Sequence, residues 1–133
     1  QDSLRAALAH ILMSRDGPAL QPGTRSYART WVRDGAMMVA GLVRLGEVAA
    51  AREFTDWFAG YIFESGKVPC CVDQRGADPV VENDSHGQYL FAVAELWRHT
   101  ELSYGSTAFY KYFLSCCEQL CFEQFWFYLG FDA

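Results

Sequence analysis

No run of uninterrupted apolar residues in this 133-residue chain reaches the roughly 20 that a membrane-spanning helix needs. Even the greasy C-terminal stretch is broken by Lys111, Glu118 and Glu123, so no membrane partner is expected. Blocks of Lys or Arg are also missing. With 11 basic against 16 acidic residues and a formal net charge of -5, the chain offers no phosphate-tracking surface, and nucleic acid is excluded as an expected partner. The start lacks the charged-then-apolar layout of a signal peptide. Because the first residue is Gln1 rather than Met, the sequence is expected to begin inside a longer protein. Zinc-ligand spacing is absent too. The five cysteines fall as Cys70-Cys71 and Cys116-Cys117-x-x-x-Cys121 with no histidine suitably beside them, so no metal and no cofactor is expected. Free or buried thiols in a reducing compartment, the cytoplasm, fit this pattern better.

What is present suits one modest core: 51% of the residues are apolar. Leu4, Leu8, Ile11 and Leu12 recur on one helical face and predict an opening amphipathic helix, stopped by Asp16-Gly17-Pro18. The stretch from Ala19 to Thr30 reads as an irregular connection. From Gly35 to Leu45 the sequence predicts a helix with little polar surface, buried between neighbours and stopped at Gly46. A third helix is expected from about Val48 to Glu64, ended by Ser65-Gly66, with Phe54, Trp57, Phe58, Tyr61 and Ile62 on one face. The short link between them makes an antiparallel hairpin. A long loop from Lys67 to Asp84 follows, in which Pro79-Val80-Val81 has an extended flavour. Ser85-x-x-Gln88 has the pattern of a capping box and predicts a fourth helix to about His99. His10 and His99 fall on helical faces away from the polar loops and are read as surface or core residues.

The chemistry gathers ahead of the second and fourth helices. Trp31 offers a flat face, Arg33 five fixed donors and Asp34 two acceptors, a combination that suits a polyhydroxylated ligand. Asp34 also stands where an N-cap would stand, so capping alone remains an open alternative for it. If helices alternate direction, the second and fourth start at the same end, bringing Trp31, Arg33 and Asp34 near Glu82, Asp84 and His86.

These residues resemble the opening of a glucoamylase-type glycoside hydrolase, one of the six-hairpin glycosidases. The likeness rests on Tyr27-x-x-x-Trp31-x-Arg33-Asp34 before an apolar helix, on Gly66-Lys67-Val68-Pro69, and on Glu82-Asn83-Asp84-Ser85-His86-Gly87-Gln88. It covers residues 1–100 and implies an all-α fold of antiparallel hairpins forming part of an (α/α)6 toroid. It further implies that Arg33 and Asp34 hold hydroxyls of an oligosaccharide or glucoside, that Trp31 lines the pocket, and that Asp84 and His86 stand at its rim. O-glycosyl hydrolysis needs two carboxyl groups, roughly 6.5–9.5 Å apart in an inverting enzyme. Asp73, Asp78, Glu82 and Asp84 are available, but none has a context that marks it as acid or base. In such enzymes the catalytic glutamates come from later hairpins. The isolated chain is therefore expected to retain sugar contacts without hydrolysing the bond.

Residues 101–133 depart from the resemblance. They hold 11 of the 21 Phe, Trp and Tyr residues and three of the five cysteines. Three explanations stay open: sequence out of frame after a truncation, a real fifth helix covering the bundle, or a surface for a partner. The rival function is a small helical interaction module using the 67–84 loop or this tail. Inner helices left bare by an incomplete toroid predict self-association.

Overall fold

The computed structural model describes residues 2–80 and 82–100. The aromatic tail and the Cys116-Cys117-x-x-x-Cys121 cluster lie outside the described residues, as does Val81 of the extended-looking Pro79-Val80-Val81. Most of the described chain is helical: α1 spans Asp2–Met13, α2 Val32–Arg44, α3 Val48–Ala59 and α4 Ser85–Thr100. The expectation of a purely helical fold is corrected by a small sheet of β1 (Thr30–Trp31), β2 (Cys71–Asp73) and β3 (Gly76–Ala77), antiparallel in that order.

Helix α1 forms as its periodicity predicts, with Leu8, Ile11 and Leu12 resting on the core, yet it buries no residue fully and leaves Leu4 exposed. Its stop is a tight turn in which Asp16 and Ala19 exchange both backbone hydrogen bonds, with Gly17 at φ +58°. Helix α2 begins three residues earlier than expected. Its inner face buries Val32, Ala36, Val39, Leu42 and Val43, but Met37 is 63% exposed, so the helix is covered on one side rather than all round. At its end Gly46, at φ +88°, donates to Val43 O at 3.3 Å while Glu47 N–H donates to Leu42 O at 2.9 Å. That pair of bonds is a Schellman motif, and it turns the chain sharply into α3.

The third helix is shorter than the sequence suggested. It ends at Ala59, and Gly60, Tyr61 and Ile62 donate instead to carbonyls three residues back, a tightening that lets Tyr61 and Ile62 keep their apolar spacing without being helical. Gly66, at φ +80°, serves a separate turn whose N–H reaches Phe63 O at 2.8 Å.

The core is a wedge of α3 side chains between α2 and α4. Phe54 and Phe58 are fully buried, their rings 5.6 Å apart, and Phe58 stacks on Tyr89 at 5.7 Å. Tyr89 Oη donates to Thr55 O at 3.0 Å, satisfying the one polar atom this stack carries inward. The closeness of α2 to α3 depends on Gly35: a Cβ there would lie 2.3 Å from Phe54 Cζ.

Helices α2 and α4 form the most extensive helix pair. Ion pairs fix their relative direction. Arg33, in the first turn of α2, bonds Asp84 just ahead of α4, while Arg44, at the far end of α2, bonds Glu95 well along α4 at 2.6 Å. Matching ends therefore meet, and the two helices run parallel with α3 antiparallel to α2. No helix among the described residues is long and apolar enough to cross a membrane.

Candidate functional site

The N-termini of α2 and α4 open onto the same end of the molecule, and the polar segments ahead of them meet there. Arg33 is the bridge. Its Nε donates to Asp84 Oδ2 at 2.7 Å and its Nη2 to Glu82 Oε2 at 2.9 Å. The hydrogen bond to Asp84 is the main reason the Arg33 guanidinium is held even more firmly protonated than usual, and in return Arg33 holds the Asp84 carboxyl below the usual carboxylate range. Three of the expected site residues are thus placed as follows: Arg33 and Asp84 together, and Asp34 beside them one position further into α2.

Asp34 is not an N-cap. Helix α2 starts at Val32 with Trp31 in the capping position and no side-chain capping bond, so Asp34 occupies the third helical residue. There its charge complements the positive helix end. It is half-buried, and among the described residues its carboxylate carries no hydrogen bond or ion pair. The expected capping box of α4 does not form either. Ser85 is already helical, its buried hydroxyl has no partner among the described residues, and Gln88 N–H donates to the backbone O of Asp84. Asp84 occupies the position that the sequence assigned to Ser85.

Trp31 is positioned by β1. Its strand neighbour Thr30 is buried at 1% exposure, and Trp31 itself is half-buried opposite the buried Cys71 in the register. The guanidinium of Arg29 lies 5.2 Å from its ring centroid, which orients the ring and occupies one of its faces. His86, expected at the rim, turns toward the preceding loop: its Nε2 accepts the Val68 N–H at 3.3 Å. Burial, and then the charge of Lys67, push the His86 imidazole down, so it is neutral at physiological pH. It acts here as a tether for the 67–69 turn.

The long loop is not a free arm. Residues 71–77 fold into the β2–β3 hairpin, and Lys67 Nζ donates to Pro79 O. Arg29 straddles the hairpin, reaching Asp78 at 2.9 Å and Asp73 at 3.2 Å, while Arg75 bonds Asp73 at 2.7 Å. Arg75 is the first cause that holds the Asp73 carboxyl at about 2; the Val80 N–H and then Arg29 hold Asp78 down. All four candidate acids are consequently taken up by arginines. Asp73, Asp78 and Asp84 are shifted opposite to what a general acid requires.

The hairpin gathers one group that sequence spacing hid. Cys70, Cys71 and Asp78 place their ligand-type atoms within 4.8 Å of one another. Both cysteines are buried free thiols, and burial followed by the neighbouring Cys70 pushes the Cys71 thiol up to about 12. The signal was unreadable because Asp78 is brought back only by strand pairing: its N–H donates to Cys71 O at 2.9 Å.

Comparison with known protein families, with curated proteins and with solved structures finds no match to this chain.

Proposed function

We propose that the α2–α4 end is the sugar-contacting portion of a glucoamylase-like glycoside hydrolase fold, built without its catalytic carboxylate pair. The observation that carries this is the parallel packing of α2 and α4, which sets Arg33, flanked in the chain by Trp31 and Asp34, against Glu82 and Asp84 at the end where both helices begin. In such a toroid the inner helices run parallel and each is followed by an outer helix running back, the relation α2, α3 and α4 have here. Within the site, Asp34 accepts ligand hydroxyls, the Trp31 ring face not taken by Arg29 stacks on a pyranose ring, and the Glu82 and Asp84 carboxylates hold Arg33 in place. Hydrolysis is not part of the proposal, because every candidate acid is paired with an arginine and three are held ionised.

Isothermal titration with short gluco-oligosaccharides tests it. Weak saturable binding by the full chain, lost in Asp34→Asn and accompanied by no release of reducing sugar, is the expected result. Absence of heat with every glucoside tried, or equal binding by Asp34→Asn, would contradict it.

A second possibility, a helical interaction module, draws on a separate observation. Met37 and Trp97 are 63% and 49% exposed on the paired helices, apolar area that a partner or a second copy would cover.

A further inference from the structure

We propose that Cys70, Cys71 and Asp78 form a binding site for a soft divalent metal ion, with zinc as the biological occupant. Two of the three donor separations are those of a tetrahedral site before its metal arrives, and the third, between Cys70 and Asp78, lies within 4.8 Å. With metal–sulfur bonds of about 2.3 Å and a metal–oxygen bond of about 2.1 Å, tetrahedral angles put two sulfurs about 3.75 Å apart and sulfur and oxygen about 3.6 Å apart. Cys70 Sγ and Cys71 Sγ are 3.7 Å apart, and Cys71 Sγ lies 3.8 Å from Asp78 Oδ2. A disulfide would need about 2.05 Å, so the two sulfurs are neighbours that share a space rather than a bond.

The backbone holds this arrangement without a ligand. Val32 N–H donates to Cys70 O at 2.9 Å, and Asp78 N–H donates to Cys71 O at 2.9 Å, pinning the cluster to the start of α2 and to the hairpin. Asp78 is oriented as ligating carboxylates are: Val80 N–H donates to Oδ1 at 3.0 Å and Arg29 to Oδ2 at 2.9 Å. Charge closes as well. Once binding has released the two thiol protons to solvent, two thiolates with Asp78 and Asp73 carry four negative charges, Arg29 and Arg75 carry two positive ones, and a divalent ion supplies the remaining two. Two sulfur donors favour zinc over magnesium or calcium, which take oxygen ligands. Three protein ligands leave a fourth position for water, reached past the part-exposed Asp78. Bound there, the ion staples β2 to the segment after β3, independently of any sugar contact.

Cobalt(II) titration of the full chain under reducing conditions tests the site, with Cys116, Cys117 and Cys121 replaced by Ser so that only the two buried thiols remain. One equivalent is expected to produce a sulfur-to-cobalt charge-transfer band and tetrahedral d–d absorption, both abolished by zinc. Cys70→Ala is expected to weaken the band and lower affinity by more than tenfold. Because both cysteines lie in the core, Asp78→Asn provides the second arm: wild-type circular dichroism with at least a tenfold loss of affinity. No charge-transfer band in the Cys116/Cys117/Cys121→Ser chain would overturn the proposal, as would cobalt affinity unchanged in folded Asp78→Asn.

Discussion

At the scale of single residues, the paired charges decide how the molecule responds to acid. Glu95 is 3% exposed yet accepts from Arg98 at 2.6 Å and meets Arg44 at 2.6 Å. Burial pushes its carboxyl up, but the hydrogen bonds from the two arginines outweigh burial and the net shift is downward. A carboxyl that titrates lower in the folded chain leaves the unfolded state binding more protons. The stability it confers is therefore complete above its ordinary value of 4.5 and is lost as pH falls below that value and through the lower folded one. His86 has the same sign by a different route. Its folded value lies below the ordinary 6.5, so its contribution is complete above 6.5 and declines as the imidazole is forced to charge. Urea midpoints measured across this range should fall in two stages, a shallow one below about pH 6.5 and a steep one below about pH 4.5. His86→Gln should remove the first stage only. Asp34 behaves differently again. As a first-turn residue rather than a cap, it contributes about 0.3–1 kcal/mol through the helix dipole, so Asp34→Asn should leave thermal stability nearly unchanged while removing sugar binding.

At the scale of elements, a local rule was readable wherever the stabilising partner is near in sequence. The Gly46 stop and the α2–α3 hairpin came from local signals, and the Schellman bonds bear that out. The end of α3 was misjudged because Tyr61 and Ile62 continue the apolar spacing through a turn that only the hydrogen-bond pattern reveals. The β2–β3 hairpin was missed for a related reason. Its strands are two and three residues long, too short to alternate, and what holds them is Arg29 reaching from far upstream to Asp73 and Asp78. The meeting of Arg33 with Glu82 and Asp84 was anticipated from helix direction, whereas the role of His86 as a tether was not, since its acceptor duty toward Val68 leaves no mark in sequence. Packing between elements also makes a quantitative expectation. The ring of Phe54 is fully buried and has no room to retreat from a new methyl on α2. Gly35→Ala should cost about 1–3 kcal/mol by overpacking, read as a lowered denaturation midpoint with an unchanged slope. A neutral result would mean that α2 and α3 are not held as closely as the Gly35–Phe54 approach requires.

At the scale of the whole molecule, the described residues make two parallel helices backed by one antiparallel helix, with α1 resting on their core and a small sheet at the end where the parallel pair begins. Such a unit packs well around Phe54 and Phe58, while Met37 on α2 and Phe91 and Trp97 on α4 stay exposed. Water-facing apolar area of that kind favours pairing between copies. Sedimentation velocity at rising concentration should show reversible self-association, and a single monomeric boundary throughout would count against bare inner helices. Arg29, Arg33 and Arg75 pair with Asp73, Asp78, Glu82 and Asp84 across the sheet and the site, while Asp34 has no ion-pair partner among the described residues. The measurement that bears most directly on the sugar-site proposal is an amide chemical-shift titration with a gluco-oligosaccharide. Shifts confined to residues 30–36 and 82–86, saturating with added sugar and absent in Asp34→Asn, are the predicted result. Shifts scattered over exposed apolar residues such as Met37 and Trp97, or none at all, would contradict it.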